Sequence, residues 1–148
     1  MHPFLNIAKR AALDAGKIML RNWERLDTLK VNEKQRNDFV TEVDLQAERE
    51  IIRTLNKIYP DHAILAEESG VSGENDEYQW IIDPLDGTTN YLNGFPHFAV
   101  SIGLKHKGRL EAGLIYDPLK QDIFMASRGQ GASLNDRRIR VKKRTSLE

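Results

Sequence analysis

Apolar residues near the start of the chain recur at steps of three and four: Leu5, Ala8, Ala12, Ala15, Met19 and Trp23. That spacing lays one apolar stripe along a helix. Residues 24 to 37 are polar and carry no period, which predicts a loop or a weakly ordered segment. Thr41 and Asp44 then show capping-box spacing, with aspartate in the usual glutamate position, and predict the start of a second helix. Leu45, Ile51, Ile52, Leu55 and Ile58 give that helix a broad buried face, and Pro60 stops it.

The pattern next changes to strands. Ala63-Ile64-Leu65-Ala66 is a short apolar run that ends at Glu67-Glu68. Residues 69 to 79 are rich in Gly, Ser, Asn and acids and predict an exposed loop. Trp80-Ile81-Ile82 is a second buried run, ending at Asp83. From Phe98 onward the chain reads as a meander with strands at 98–105, 110–116, 122–126, and 132–134 with 138–141. Lys107-Gly108, Asp117-Pro118, and Gly129 with Gly131 supply the turns. Two helices followed by consecutive antiparallel strands predict an α+β fold, with no repeat, linker or low-complexity tract.

Composition narrows the functional classes. Length allows one domain, at 148 residues, and 22 basic residues balance 22 acidic ones. Zero net charge provides no global field to steer the protein onto nucleic acid or an anionic membrane, so an anionic substrate must be held locally. Cysteine is absent, which removes disulfides, thiolate metal sites and thiol catalysis. Met1-His2-Pro3-Phe4-Leu5 lacks the pattern of a secretory signal, and no apolar run approaches the ~20 residues that span a bilayer. A cytoplasmic protein without membrane partners is the expectation.

The segment Trp80 to Asn90 carries the chemistry. A buried strand delivers Asp83 at its exit, and Pro84 is expected to turn the chain at once, bringing Asp86 back toward Asp83. Gly87 allows positive φ and close approach of a ligand to the backbone. Thr88 and Thr89 offer hydroxyls and amides at an expected helix start, a natural seat for phosphate. Glu67 and Glu68 leave another apolar strand and can converge on the same edge. At an effective dielectric of about 20, like charges 4 Å apart repel by about 4 kcal/mol, so such a cluster protonates or collects cations. Hard oxygen ligands favour magnesium, and two such ions about 3.5–4 Å apart can clamp a phosphate and activate a water.

The wording of these segments resembles the inositol monophosphatase family. Asp83-Pro84-Leu85-Asp86-Gly87-Thr88-Thr89-Asn90 matches the family's first signature, and Ala66-Glu67-Glu68-Ser69 its upstream acidic motif. Asn37-Asp38-Phe39-Val40-Thr41-Glu42-Val43-Asp44 resembles the opening of the family's second helix, and the match runs to about Val141, closest to the bacterial extragenic-suppressor type. The resemblance implies a layered αβαβα sugar-phosphatase fold. It also implies magnesium-dependent hydrolysis of a small phosphate monoester such as inositol 1-phosphate. Glu67, Asp83 and the Leu85 carbonyl would bind one Mg2+, and Asp83 and Asp86 the second. Thr88 would help Glu67 orient the attacking water, with Asp44 hydrogen-bonded to Thr88. Asp86 and the amides of Gly87 and Thr88 would hold the substrate phosphate, and Glu68 would support the outer shell or a third ion. Lithium inhibition and a homodimer are further family traits. The family's second signature, a Trp-Asp motif that adds an aspartate to the second metal, does not occur in this sequence. These residues are therefore expected to form the amino-terminal half of such an enzyme, without the carboxyl-terminal half and with weak activity or none alone.

Two rivals stand beside that reading. Fructose and nucleotide bisphosphatases share the Asp-Pro-x-Asp-Gly-Thr core. Extragenic-suppressor relatives are associated with RNA polymerase and the antitermination machinery of ribosomal RNA transcription, and the basic run Arg137 to Arg144 is compatible with such a contact. Alternation of Ile139 and Val141 with Arg140 and Lys142 more simply predicts a strand with one solvated face. His97 is read as a positioned loop histidine rather than a base. His2, His62 and His106 share no ligand spacing, and Trp23 and Trp80 are assigned to the core.

Overall fold

The computed structural model describes residues 2–28, 32–74 and 77–146. Helix α1 (Pro3–Thr28) starts with proline at its first position, where the missing N–H costs nothing. Its buried stripe runs through Leu5, Ala8, Ala12, Ala15 and Met19 as the spacing predicts, and continues to Leu26, while Trp23 is half-buried. Helix α2 (Glu33–Ile58) begins well before Thr41. Asn32 caps it by accepting from the Gln35 N–H at 2.9 Å. Thr41 lies inside the helix and donates its hydroxyl to the Asn37 carbonyl at 2.9 Å, so the expected capping box is not formed.

Most of the predicted loop at 24–37 is therefore helix, and residues 29–31 of it lie outside the described residues. The misreading has a physical cause. The first turns of α2 are solvated on nearly every side, so strong helix formers such as Glu33, Lys34 and Gln35 leave no periodic apolar trace. The buried face of α2 is also rotated from the expected one: Val40, Val43, Asp44, Ala47, Glu48, Ile51 and Leu55 are buried, whereas Leu45 and Ile52 are half-buried and Ile58 is exposed.

Both helices pack against one face of an eight-stranded sheet. Its strands are β1 (Ala63–Ala66), β2 (Gly70–Ser72), β3 (Tyr78–Asp86), β4 (Ala99–His106), β5 (Arg109–Asp117), β6 (Asp122–Ser127), β7 (Gly131–Leu134) and β8 (Arg137–Ile139). A short helix α3 (Thr88–Leu92) separates β3 from β4. The spatial order is β2-β1-β3-β4-β5-β6-β7-β8, antiparallel except for the parallel pair β1–β3. The meander from β4 onward follows the predicted strands closely. The expected loop at 69–79 instead contains edge strand β2 and the start of β3, with residues 75–76 outside the described ones. Three residues with little burial are too few to show an alternating pattern.

The helix-facing side of the sheet is the core: Ile64, Trp80, Ile82, Val100, Ile102, Leu104, Leu114 and Met125. Gly16 lets α1 lie close to β5, because a Cβ there would run into the Tyr116 ring and sit 3.3 Å from Pro118. The opposite face of the sheet is open and apolar, with Leu110, Ile115 and Phe124 exposed by 57%, 49% and 39%. The basic run is only partly strand. All three residues of β8 are exposed, so neither face is covered, and Val141 lies beyond the strand. No helix of the described residues is long and apolar enough to cross a membrane.

Beneath one end of the sheet, histidines far apart in sequence join a ring stack. Tyr59 stacks on His62 (4.6 Å between centroids), His62 on Tyr78 (4.7 Å), and Tyr78 on His106 (4.5 Å). The Trp80 indole N–H donates to His62 Nδ1 at 3.1 Å, so that nitrogen carries no proton. Burial holds the His62 imidazole below its ordinary pKa of 6.5, against the opposing charges of Asp61 and Glu77. In the interval between the lowered value and 6.5 the unfolded chain binds more protons than the folded one. Stability from this site is thus fully present above pH 6.5 and is lost as pH falls through the folded value. Thermal midpoints of wild type and His62→Phe measured from pH 7.5 down to 5 are expected to converge as the pH drops; parallel curves would contradict it.

Candidate active site

Register explains how the acidic motifs meet. Strands β1 and β3 run parallel with Ala66 beside Ile82, so the next residues, Glu67 and Asp83, emerge side by side. The Glu67 carboxyl comes near enough there to help push the Asp83 carboxyl up. Pro84 does not turn the chain as expected. Strand β3 continues to Asp86, and a bulge intervenes: Asp83 pairs with Ser101 and Asp86 with Ala99, three residues on β3 against two on β4. One extra residue resets the alternation of faces, which is how carboxylates three positions apart come to interact. Pro84 tolerates this place because a bulge frees it from donating a ladder hydrogen bond.

Gly87 follows with φ +90°, capping α3 in the left-handed conformation. A Cβ at Gly87 would lie 3.0 Å from the His97 carbonyl oxygen and 3.3 Å from Phe98 Cα, so a side chain fails on both strain and space. The Thr88 hydroxyl donates to the Leu85 carbonyl at 3.3 Å. It is therefore not bonded to Asp44 as the resemblance implied, and Asp44 Oδ1 is buried without a partner. His97 is exposed; its carbonyl accepts from the Asn90 amide at 2.8 Å, which suits the reading as a positioned loop residue. Beside this turn a cavity of about 380 Å³ is lined by Asp86, Gly87, Asn90, His97 and Asp117, among others. A larger hollow of about 640 Å³ lies over the open face of the sheet, and none of Asp44, Glu67, Asp83 and Asp86 lines it.

Electrostatics sets this cluster apart. Asp44 is buried on α2, and its carboxyl is pushed up to about 7, first by burial and then by the charges of Glu68, Asp83 and Glu48. Asp83 is likewise pushed up to about 7 by burial, then by Glu67 and Asp86, while the Leu85 N–H pulls it down. Among the described residues no three acidic or histidine side chains close on a common point tightly enough to form a metal cage as they stand. The chemistry of the group fits a hard cation all the same: Asp44 Oδ1 and Asp83 Oδ1 are both buried without hydrogen-bond partners, next to further carboxylates.

One residue of the site escaped the motif reading. Glu48, one helical turn beyond Asp44, is 1% exposed and binds the segment that follows Glu67. Its signal in the sequence is a carboxylate four residues from another on what should be an apolar face.

Comparison with known proteins agrees with the motifs. A model of the inositol monophosphatase family matches residues 1–148. The Nus factor SuhB of Pseudomonas aeruginosa is 58% identical over 151 residues, covering 100% of this chain and 56% of its own. The solved extragenic suppressor protein suhB of Bartonella henselae is 41% identical with a TM-score of 0.85, covering 95% of this chain and 55% of that one. Inositol monophosphatase from Anabaena (Nostoc) sp. PCC 7120 gives 41% and 0.82, covering 95% and 50%. The chain thus spans about half the length of the relatives it matches. With its acidic motifs joined at the ends of β1 and β3 and its match unbroken along the sequence, this chain belongs to the inositol monophosphatase family.

Proposed function

We propose that the protein serves magnesium-dependent hydrolysis of a small phosphorylated polyol such as inositol 1-phosphate. The observation that carries this reading is the pair of partnerless, buried carboxylate oxygens on Asp44 and Asp83, set against Glu67 and Asp86 in the family's signature segment. Glu67, Asp83 and the Leu85 carbonyl would hold one Mg2+, and Asp83 and Asp86 the second. Ions bound there supply charge neutralisation for a phosphate and a lowered pKa for a water. The amides of Gly87 and Thr88 orient the phosphate, and the positive φ of Gly87 sets them at the start of α3. Glu67 and Thr88 position the water, Asp44 supports them from α2, and Glu68 sits in the outer shell. The same reading carries lithium inhibition and a homodimeric state.

Phosphate release from inositol 1-phosphate, measured with the native protein across a magnesium titration, tests the reading. Stimulation by magnesium and its loss on chelation are expected; release that ignores magnesium, or none at all, would end it.

A second reading rests on the names of the relatives, several of which are Nus factors. In that reading the protein binds RNA polymerase or its antitermination partners, with the exposed basic stretch from Arg137 as one contact. Asp83→Asn separates the two: retained polymerase binding without phosphate release would leave both roles standing on different surfaces.

A further inference from the structure

We infer that Glu48 is a positioning residue that holds Glu67 in place through the backbone of the β1–β2 turn. This rests on the metal-dependent reading of the site. Ala66 pairs with Gly70, so Glu67, Glu68 and Ser69 form a three-residue hairpin loop. Backbone pairing with β1 is all that β2 itself offers, since Val71 is 65% exposed and Ser72 is exposed too, so no side chain of β2 reaches the core. Left to itself, so short an edge hairpin would fray, and Glu67 would move with it.

Glu48 supplies the missing anchor. Its Oε2 accepts the Glu68 N–H at 3.1 Å, and its Oε1 accepts the Ser69 N–H at 2.9 Å and the Ser69 hydroxyl. All three donors come from the loop. Among the described residues no Lys, Arg or His forms an ion pair with Glu48. An apolar side chain at this place on α2 would pack without the cost of burying a charge. What a carboxylate adds is direction: two oxygens that fix two consecutive amides and thereby the residue just before them. Glu67 then has a defined place beside Asp83, and a cation meets a pair already aimed rather than a mobile loop.

Two variants of the native protein test this, Glu48→Gln and Ser69→Ala. Glutamine keeps the size of Glu48 but sets an NH2 donor against a backbone N–H. Calorimetric titration with MgCl2 reads metal uptake, and thermal unfolding in EDTA reads the fold. Glu48→Gln is expected to weaken magnesium binding by about 10- to 100-fold, the range for residues that orient metal ligands. Ser69→Ala should weaken it by a smaller factor. A lowered unfolding midpoint with wild-type magnesium affinity would overturn the inference, since a merely structural residue gives that result. If Glu48→Gln does not fold, Ser69→Ala decides, and unchanged affinity there overturns the inference equally. Wild type that takes up no magnesium would remove the metal-dependent reading itself, an outcome distinct from uptake that the variants leave untouched.

Discussion

Asp83→Asn is expected to lower magnesium-stimulated phosphate release by on the order of 10³-fold while leaving the metal-free fold as stable as before or more so. Under the proposed function Asp83 is the one carboxylate shared by both ions, so its loss affects both. Charge stabilisation from such ions amounts to several kcal/mol, and each 1.36 kcal/mol is about a factor of ten in rate. The effect on folding has the opposite sign. Burial and neighbouring acids already push the Asp83 carboxyl up to about 7, so near neutral pH its charge is unfavourable in the metal-free protein. Asparagine removes that charge at nearly constant shape. Initial rates at saturating magnesium, beside unfolding midpoints in EDTA, check both halves. A variant that loses activity because it unfolds, or one that keeps its activity, would contradict the prediction.

Trp80→Ala is expected to be the most damaging single core substitution. Trp80 is 1% exposed, lies on β3 three residues before Asp83, and packs with Phe4, Tyr59 and His62. Truncating a buried tryptophan costs about 3–5 kcal/mol through lost transfer energy and the cavity left behind. Here it also takes the indole donor from His62 Nδ1. For a domain of this size the midpoint should fall by on the order of 10 °C. Trp80→Phe, which loses the donor but refills most of the space, should fall by much less. Differential scanning calorimetry separates the two, and equal losses would show that the hydrogen bond rather than the packing dominates.

How much of this was legible beforehand depends on range. The stripe of α1 and the meander from β4 to β7 came through because each is written in neighbouring residues: a period near 3.6, then alternation between turn signals. The start of α2 did not, since a solvated helix turn looks like a polar loop. Strand β2 is held by pairing with β1 and by Glu48, both remote from its own residues. The bend expected at Pro84 proved to be a bulge because β4 pairs past it on both sides, and one strand alone cannot announce its partner's register.

The sequence by itself determined the chemical identity of the site and the family, since acids, glycine and threonines in a fixed order are a local property that survives without coordinates. Only the tertiary structure decided that Glu67 stands beside Asp83, that Asp44 is buried within reach of the Asp83 charge, and that Glu48 ties down the loop after Glu67. Those relations join residues 16 to 39 positions apart, through a parallel strand pair and the side of one helix. Hydrophobic burial brings such pieces together, and burial depends on the whole core rather than on any one segment.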